Sequence, residues 1–242
     1  MSKQRGARVQ RKLELPENTI QFQNHTKNRR LPNIIPKTLN QENFYLTLND
    51  PDQDIVIATG PAGTGKTYLA MQMAVRSLQN NHCQRIILTR PAVGVDDEQH
   101  GFLPGNLVSK MEPWTRPLLD VLREYYRPQD IMAMIEDQII EISPLAYMRG
   151  RTFSNAWIIA DEMQNSTPNQ MKMLLSRIGK NSKIVVTGDI EQTDRSCRDN
   201  GLLDITDRLK NNSVKGIAVC EFAAQDIQRH PIIGEVLRIY SS

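Results

Sequence analysis

The chain has few cysteines, few aromatic residues and no long apolar run, and each shortage excludes a class of protein. Its three cysteines are Cys83, Cys197 and Cys220, which are too widely spaced for a disulfide framework and lack the CxxC spacing of a zinc site. No stretch approaches the roughly 18 apolar residues that a membrane span needs. The polar N-terminus also lacks the apolar segment of a secretory signal. We therefore expect a cytoplasmic protein, or one of the host cytoplasm if its source is viral, with no membrane partner.

The formal charge of +3 is unevenly distributed along the 242 residues. Residues 1–30 carry eight basic and two acidic side chains, a balance of +6, which leaves −3 for the rest. This segment is polar and shows no sustained periodicity, and Pro32 and Pro36 follow it. We interpret 1–37 as a flexible basic N-terminal arm, which either contacts the phosphate backbone of a nucleic acid or serves as a solubilising tail. Residues 38–242 are long enough to form a domain whose core needs no disulfide or metal.

Short β-branched apolar runs alternate with helix-length segments through the rest of the chain. Runs this apolar are typical of parallel strands that are covered on both faces, so they predict an α/β fold with a doubly wound, mostly parallel sheet. The predicted strands are Asp54–Thr59, Arg85–Thr89, Gln138–Ile142, Ala156–Ala160, Lys183–Thr187 and Gly216–Cys220. The predicted helices are Lys66 to about Asn80, Leu107–Tyr126 with an interruption at Pro113 and Pro117, Thr167–Ile178 and Pro231–Tyr240.

The segment at about 93–135 is longer than a single crossover connection needs. It contains glycines and prolines between its apolar residues. We interpret it as a helical insertion at the carboxyl edge of the sheet, where α/β proteins bind their ligands.

A phosphate-binding loop is predicted directly after the first strong strand. The sequence GPAGTGKT at 60–67 matches the pattern GxxxxGK[ST] between a strand and a helix. Its glycines let backbone N–H groups converge on a polyphosphate at the positive end of the following helix. Lys66 would reach the β- and γ-phosphates, and the Thr67 hydroxyl would bind Mg²⁺. The predicted nucleotide-binding residues are Gly60, Pro61, Ala62, Gly63, Thr64, Gly65, Lys66, Thr67 and Tyr68.

Two adjacent acids follow the apolar strand that ends at Ala160. A magnesium nucleotide site needs a carboxylate on a neighbouring strand, and Asp161 would hold the metal through water. Glu162 would orient and deprotonate the attacking water. A single acid would support binding, whereas the adjacent pair favours hydrolysis.

A third polar group follows the next strand, where Thr187, Gly188 and Asp189 precede Gln192. A polar side chain at the tip of this strand can sense whether a γ-phosphate is present. The pattern GDxxQ taken alone fits a simple turn as well.

From Leu39 to its C-terminus, about four fifths of its length, the chain resembles the PhoH family of P-loop ATPases. The matching segments are GPAGTGKTYLA at 60–70, RPAV at 90–93, GFLPGNLVSKMEPW and RPLLD within 101–120, PLAYMRGRTF at 144–153, DEMQN at 161–165, MKMLLSRIG at 171–179, SKIVVTGD at 182–189 and RHPII at 229–233. These motifs occur in the family's order and are far more specific than the phosphate loop alone.

The resemblance implies a RecA-like fold similar to the first ATPase core of superfamily 1 helicases. It implies that Gln41 recognises adenine, which favours ATP, and that Gln192 is the γ-phosphate sensor. Some family members carry an additional PIN nuclease domain, for which we find no room or acidic cluster, so no nuclease activity is expected.

A second ATPase core, which monomeric superfamily 1 helicases use to complete the ATP site, is also missing from the sequence. We therefore expect a ring-shaped homo-oligomer, with a hexamer favoured, in which a neighbouring subunit supplies a cation. An arginine provided in this way can accelerate phosphoryl transfer by about 10³ to 10⁵. Arg229, in the RHPII segment, is the candidate, and the alternative is an arginine in a surface ion pair.

Single-stranded RNA or DNA is the expected partner besides ATP and Mg²⁺. Arg90, Arg149 and Arg151 resemble positions that face the strand in helicase cores, while Trp114 and Phe153 are either base-stacking or core residues. Aromatic residues make up only 5% of the chain, so binding should be mostly electrostatic and sensitive to salt.

Three functions are consistent with these residues. The first is Mg²⁺-dependent hydrolysis of ATP to ADP and phosphate, coupled to nucleic acid as in helicases. The second is transfer of the phosphoryl group to a small acceptor, and the third is a nucleotide-binding switch that hydrolyses slowly. The acids at 161 and 162 favour the first function, because they indicate water as the acceptor.

Overall fold

Six parallel strands form one sheet in the part of the chain that the computed structural model describes, which is 31–91, 116–192, 199–228 and position 239. The sheet order is β3-β2-β4-β5-β1-β6, and all paired strands run parallel. The strands are β1 Ile55–Thr59, β2 Arg85–Thr89, β3 Ile140–Ile142, β4 Ala156–Ala160, β5 Lys183–Gly188 and β6 Ile217–Glu221. The predicted parallel sheet is therefore confirmed, and the six predicted strands differ from these by at most two residues at either end.

Six α-helices cover the sheet within the described ranges up to 228. They are α1 Leu39–Asn49, α2 Lys66–Gln79, α3 at 116–123, α4 Pro128–Glu136, α5 Pro168–Leu175 and α6 Gly201–Asn211. The predicted helix that begins at Lys66 is confirmed. Pro117 lies in the first described turn of α3, and the predicted interruption at Pro113 and Pro117 stays a prediction because 92–115 are outside the described residues. Position 239 is helical, while 1–30, 92–115 and 231–238, with the predictions made there, lie outside the described residues.

Helix α5 is shorter than predicted because both of its ends are fixed locally. Thr167 and Gln170 form a capping box at its start, and Pro168 occupies the first turn, where no backbone N–H is needed. Beyond its end, Ile178 forms a β-bridge with Phe153, which draws the chain into an extended path. The predicted end at Ile178 is therefore wrong by one turn.

Helices α1 and α6 were missed by the sequence analysis although both have N-caps. The Thr38 hydroxyl accepts the Gln41 N–H at 3.3 Å at the start of α1. The Asn200 side chain accepts the N–H groups of Leu202 and Leu203, each at 3.0 Å, at the start of α6. Caps of this kind typically stabilise a helix by about 1 kcal/mol.

Two hydrophobic clusters lie on opposite faces of the sheet, which gives the doubly wound arrangement. One cluster joins apolar residues of α1, α2, α3 and α4 to the strands, and the other joins those of α5 and α6 to the opposite face. Helices α3 and α4 therefore pack on the same face of the sheet as α2. The prediction that the insertion lies at the carboxyl edge is wrong for these two helices. Among the described helices, none combines the length and apolar character needed to cross a bilayer.

The carboxyl ends of four adjacent central strands bring the predicted site together. Strands β2, β4, β5 and β1 are neighbours in this order. The phosphate loop follows β1, the two acids follow β4, and Asp189 follows β5. Because the strands are parallel, these segments meet at one edge of the sheet.

Candidate nucleotide-binding site

The phosphate loop has the backbone geometry of an anion cradle. Gly60, Gly63 and Gly65 have φ values of 131°, 85° and 85°. Residues that carry a side chain rarely adopt such positive φ values. A Cβ atom at Gly60 would lie 2.2 Å from the backbone oxygen of Phe222, so the close approach of the segment after β6 also requires glycine there. Gly65 is the N-cap of α2, and the loop therefore ends where the N–H groups of a helix begin.

The Lys66 ammonium lies inside the loop. Its Nζ donates to the backbone oxygens of Gly60 at 2.6 Å and Pro61 at 2.8 Å. The side chain is largely buried, so water screens its positive charge only weakly inside the cleft. A phosphate bound in this loop would meet both the ammonium and the backbone N–H groups.

Hydroxyl and carboxylate oxygens converge beside the loop. Thr67 Oγ1 donates to Asp161 Oδ1 at 2.7 Å, and Thr187 Oγ1 donates to the same oxygen at 2.6 Å. These hard oxygen donors fit Mg²⁺, which proteins usually hold with one or two carboxylates together with the phosphates of a nucleotide. The described residues contain no group of three or more His, Cys, Asp or Glu side chains that could hold a metal on its own. The oxygen donors of Thr67 and Asp161 suit a magnesium ion that is bound together with the phosphates of a nucleotide.

Glu162 occupies a strained backbone position at the mouth of the cleft. Its φ of 55° lies in the left-handed region, which is uncommon for a residue with a side chain and typical of functional sites. The side chain is 44% exposed, so its carboxylate is accessible to water. Glu162 Oε2 accepts a hydrogen bond of 2.6 Å from Gln164 Nε2.

Gln164 was missed by the sequence analysis and links three parts of the site. Besides Glu162, its Nε2 donates to the backbone oxygen of Gln192 at 3.2 Å, and its Oε1 accepts the Asp189 N–H at 3.2 Å. The side chain is buried. Gln164 therefore connects the predicted base with the predicted γ-phosphate sensor. The only sequence signal for it was its place in the DEMQN segment.

Arg90 was assigned to nucleic-acid binding from the sequence, but the structure places it on the two acids. Its Nη2 lies 2.8 Å from Asp161 Oδ2 and 3.3 Å from Glu162 Oε1. The sequence alone does not show this contact, because it does not reveal that β2 and β4 are neighbours in the sheet.

The cleft has a volume of about 270 Å³ and brings together most of the predicted residues. Asp189 supports its floor by accepting the Ala62 N–H at 3.2 Å. The lining residues are Ala62, Gly63, Gly65, Lys66, Thr67, Tyr68, Asp161, Glu162, Gly188, Asp189 and Gln192. The predicted loop residues Gly60, Pro61 and Thr64 do not line the cleft, and the backbone oxygens of Gly60 and Pro61 bind the Lys66 ammonium. Arg229 lies outside the described residues, and its role stays a prediction.

Gln41 braces the phosphate loop. Its Nε2 donates to the backbone oxygen of Thr64 at 3.0 Å, and its Oε1 accepts the Lys37 N–H at 2.7 Å. Both ends of the amide are thus bound within the protein. Adenine recognition by Gln41 stays a prediction, and it would require the amide to exchange these partners.

Tyr68 lies at the rim of the cleft and connects it to the segment after α3. Its hydroxyl donates to Glu124 Oε2 at 2.9 Å. Partial burial, followed by this hydrogen bond and the negative charge of Glu124, raises the pKa of Tyr68 above its ordinary value. The phenol therefore stays a neutral hydrogen-bond donor.

Of the three remaining described candidates for nucleic-acid contact, Arg151 and Phe153 have structural roles. The Arg151 guanidinium forms an ion pair with Glu141 and lies 4.6 Å from the centre of the Phe153 ring. Phe153 is 1% exposed and belongs to the core, so it cannot stack on a base. Arg149 is exposed. Trp114 lies outside the described residues.

The model of the family described as "PhoH-like protein" matches residues 33–241. The chain belongs to the PhoH-like protein family. The resemblance carried by the sequence motifs is therefore confirmed, and the phosphate loop after β1 is that of a P-loop NTPase.

Relatives in the PhoH-like family come from diverse bacteria. The chain is 44% identical to a PhoH-like protein of Synechocystis over 214 residues, which is 88% of this chain and 64% of the relative. It is also 44% identical to a PhoH-like protein of Bacillus subtilis over 217 residues, which is 89% of this chain and 66% of the relative. The chain thus spans just under two thirds of the length of these curated relatives. Among solved structures it is similar to the Pif1 helicase of Candida albicans, at 13% identity with a TM-score of 0.39 over 85% of this chain and 44% of that one.

Proposed function

We propose that this PhoH-like chain binds ATP with Mg²⁺ and hydrolyses it to ADP and phosphate. The observation that supports this most strongly is the placement of Thr67, Asp161 and Glu162 on one cleft beside the Lys66 loop. The hydroxyl and the first carboxylate supply metal ligands, and the second carboxylate is open to water. Such an arrangement favours water over a larger acceptor.

Each residue has a defined role in this reaction. The loop N–H groups and the Lys66 ammonium bind the phosphates and neutralise their charge. Thr67 and Asp161 would hold Mg²⁺, which supplies neutralisation of the β- and γ-phosphate oxygens when it is bound. Glu162 accepts the proton of the attacking water, and Gln164 keeps its carboxylate in place. Gln192, on the rim of the cleft, senses the γ-phosphate.

The first test is ATP turnover without any added acceptor. We expect phosphate and ADP to form in equal amounts when Mg²⁺ is present, and turnover to stop when the metal is removed with EDTA. A coupled phosphate-release assay measures this. Turnover that appears only after a small acceptor is added would instead support the phosphotransferase alternative.

We also propose that the active form is a ring-shaped homo-oligomer, with a hexamer favoured. The partly exposed Glu162 and the exposed Gln192 support this, because they leave the phosphate side of the cleft accessible to a cation from a second copy. The arginine at position 229 is the proposed cation, and such groups can raise turnover by about 10³-fold or more.

Mixing two inactive variants tests the ring. We expect Arg229→Ala and Lys66→Ala each to be inactive, whereas their mixture recovers part of the turnover, since some interfaces combine an intact loop with an intact arginine. Light scattering with Mg²⁺ and ATP should show an oligomer. A monomer under every condition, or a mixture without any recovery, would exclude the shared site.

Single-stranded RNA or DNA is the proposed stimulating partner, supported by the +6 balance of residues 1–30 and by the exposed Arg149. Ion pairs with phosphates release counterions, so the contact should weaken steeply with salt. We expect oligonucleotides to raise turnover at low salt and to lose this effect as salt increases. Turnover that does not change with either nucleic acid at low salt would contradict the proposal.

A further inference from the structure

We propose that Arg90 is a positioning residue that sets how tightly the site binds a divalent cation. Its guanidinium competes with the metal for the Asp161 carboxylate and partly neutralises the neighbouring Glu162, so that the cation binds well only together with the phosphates of a nucleotide. This inference rests on the proposed magnesium nucleotide site and adds a residue that controls its metal affinity.

The two oxygens of Asp161 have different partners. Oδ1 accepts the hydroxyls of Thr67 and Thr187, at 2.7 and 2.6 Å. Oδ2 lies 2.8 Å from Arg90 Nη2, and the same nitrogen reaches Glu162 Oε1 at 3.3 Å. One guanidinium therefore compensates charge on both acids of the site.

Partial burial strengthens this electrostatic contact. The Arg90 side chain is 21% exposed and the Asp161 side chain is 6% exposed. A pair in this environment is screened by salt much less than a surface pair. The positive charge thus acts on any cation that approaches the Asp161 carboxylate.

The backbone fixes the position of Arg90 from two sides. It follows Thr89, the last residue of β2, whose backbone oxygen accepts the Asp161 N–H at 3.0 Å. The Arg90 backbone oxygen accepts the Leu145 N–H at 3.4 Å. The pairing of β2 with β4 therefore places Arg90 beside Asp161 and Glu162.

This arrangement treats a free cation and a nucleotide-bound cation differently. A free divalent ion meets two carboxylates whose charge is already partly neutralised, and it is repelled by the guanidinium. A cation that arrives with ATP brings phosphate charges that interact favourably with Lys66 and offset the repulsion from the guanidinium. Removal of the guanidinium should therefore strengthen the binding of the free cation. The difference in affinity between the free cation and the nucleotide-bound cation should then become smaller.

The test measures binding of Mn²⁺, an EPR-visible substitute for Mg²⁺, in the absence of nucleotide. We expect Arg90→Gln and Arg90→Met, which both remove the charge, to bind Mn²⁺ about tenfold more tightly than the wild type. Arg90→Lys keeps the charge and should stay close to the wild type. Arg151→Gln removes the arginine of a different ion pair, with Glu141, and should leave Mn²⁺ affinity unchanged.

Equal or weaker Mn²⁺ binding by a folded Arg90→Gln or Arg90→Met protein would overturn this inference, since a merely structural arginine could only weaken the site when removed. Circular dichroism verifies folding of both variants. A second titration, of wild type with Mn²⁺ and ATP, separates this from the proposed function. If calorimetry shows that the Mn²⁺–ATP complex, which also forms in free solution, does not bind to the wild type, the nucleotide site itself is contradicted; if it binds, only the role of Arg90 is in question.

Discussion

Replacing Glu162 by glutamine is expected to lower ATP turnover by about 100-fold or more, because loss of a general base typically costs about 10² to 10⁴ in rate. Glutamine has nearly the same shape and can still accept the hydrogen bond from Gln164, but it cannot take a proton from water. The phosphate loop and Asp161 are unchanged by the substitution. We therefore expect the affinity for ATP, measured by calorimetry with Mg²⁺, to stay within about threefold of the wild type.

A matched control is available on the same rim. Glu191 is exposed, and its N–H is bound by Asp189, while its side chain lies outside the set that lines the cleft. Glu191→Gln removes the same charge and should leave turnover close to the wild type. Comparable turnover in Glu162→Gln and Glu191→Gln would mean that Glu162 is not the base.

Replacing Lys66 by alanine is expected to weaken ATP binding by about 100-fold or more, since a charge-assisted contact to phosphate in a cleft of low exposure is worth several kcal/mol when one partner is removed. The ammonium is buried in the loop, and no other lysine or arginine belongs to the lining of the cleft among the described residues. Turnover should fall below detection at ATP concentrations that saturate the wild type. Calorimetry with Mg²⁺ and ATP measures the change.

Lys183 provides the control for a partly buried lysine that is remote from the nucleotide. Its Nζ donates to the backbone oxygens of Leu48 at 2.7 Å and Asp50 at 2.8 Å, at the start of β5, and burial lowers the pKa of Lys183 to about 8. Lys183→Ala removes these two hydrogen bonds and should lower the free energy of unfolding. Its affinity for ATP should stay close to that of the wild type. Retained ATP affinity in Lys66→Ala would contradict the role of the loop lysine.

The strands and the phosphate loop could be predicted because their signals are local. Each strand is a continuous apolar run, and the loop combines a fixed motif with a strand before it and a helix after it. Thr67, Asp161 and Glu162 were likewise predictable, since parallel strands end at one edge of a sheet. Helices α1 and α6 were missed because their caps, Thr38 and Asn200, were not followed as helix starts.

The contacts of Arg90 and Gln164 could not be predicted because they depend on the order of strands in the sheet, and that of Arg151 could not because it depends on the path of the chain after β3. Arg90 reaches the acids only because β2 lies beside β4, and an apolar run carries no record of its neighbour. Arg151 follows β3 in the chain, yet it turns back onto Glu141 within that strand. The fold therefore determines which residue contacts a charged side chain beside a strand. Arg90 and Arg151 were predicted to bind nucleic acid, but in the structure both form ion pairs with acidic residues.

The origin of the oxygen in the released phosphate tests the central claim most directly. In water enriched in ¹⁸O, ATP hydrolysis at this site should give phosphate that carries solvent oxygen, because Glu162 activates water to attack the γ-phosphorus. Mass spectrometry of the phosphate, with the Glu162→Gln protein as the reference for background, measures the label. Labelled phosphate formed by the wild type at a rate that the variant does not reach is the predicted result. If the wild type forms no labelled phosphate above this background at saturating Mg²⁺ and ATP, the result would contradict the account.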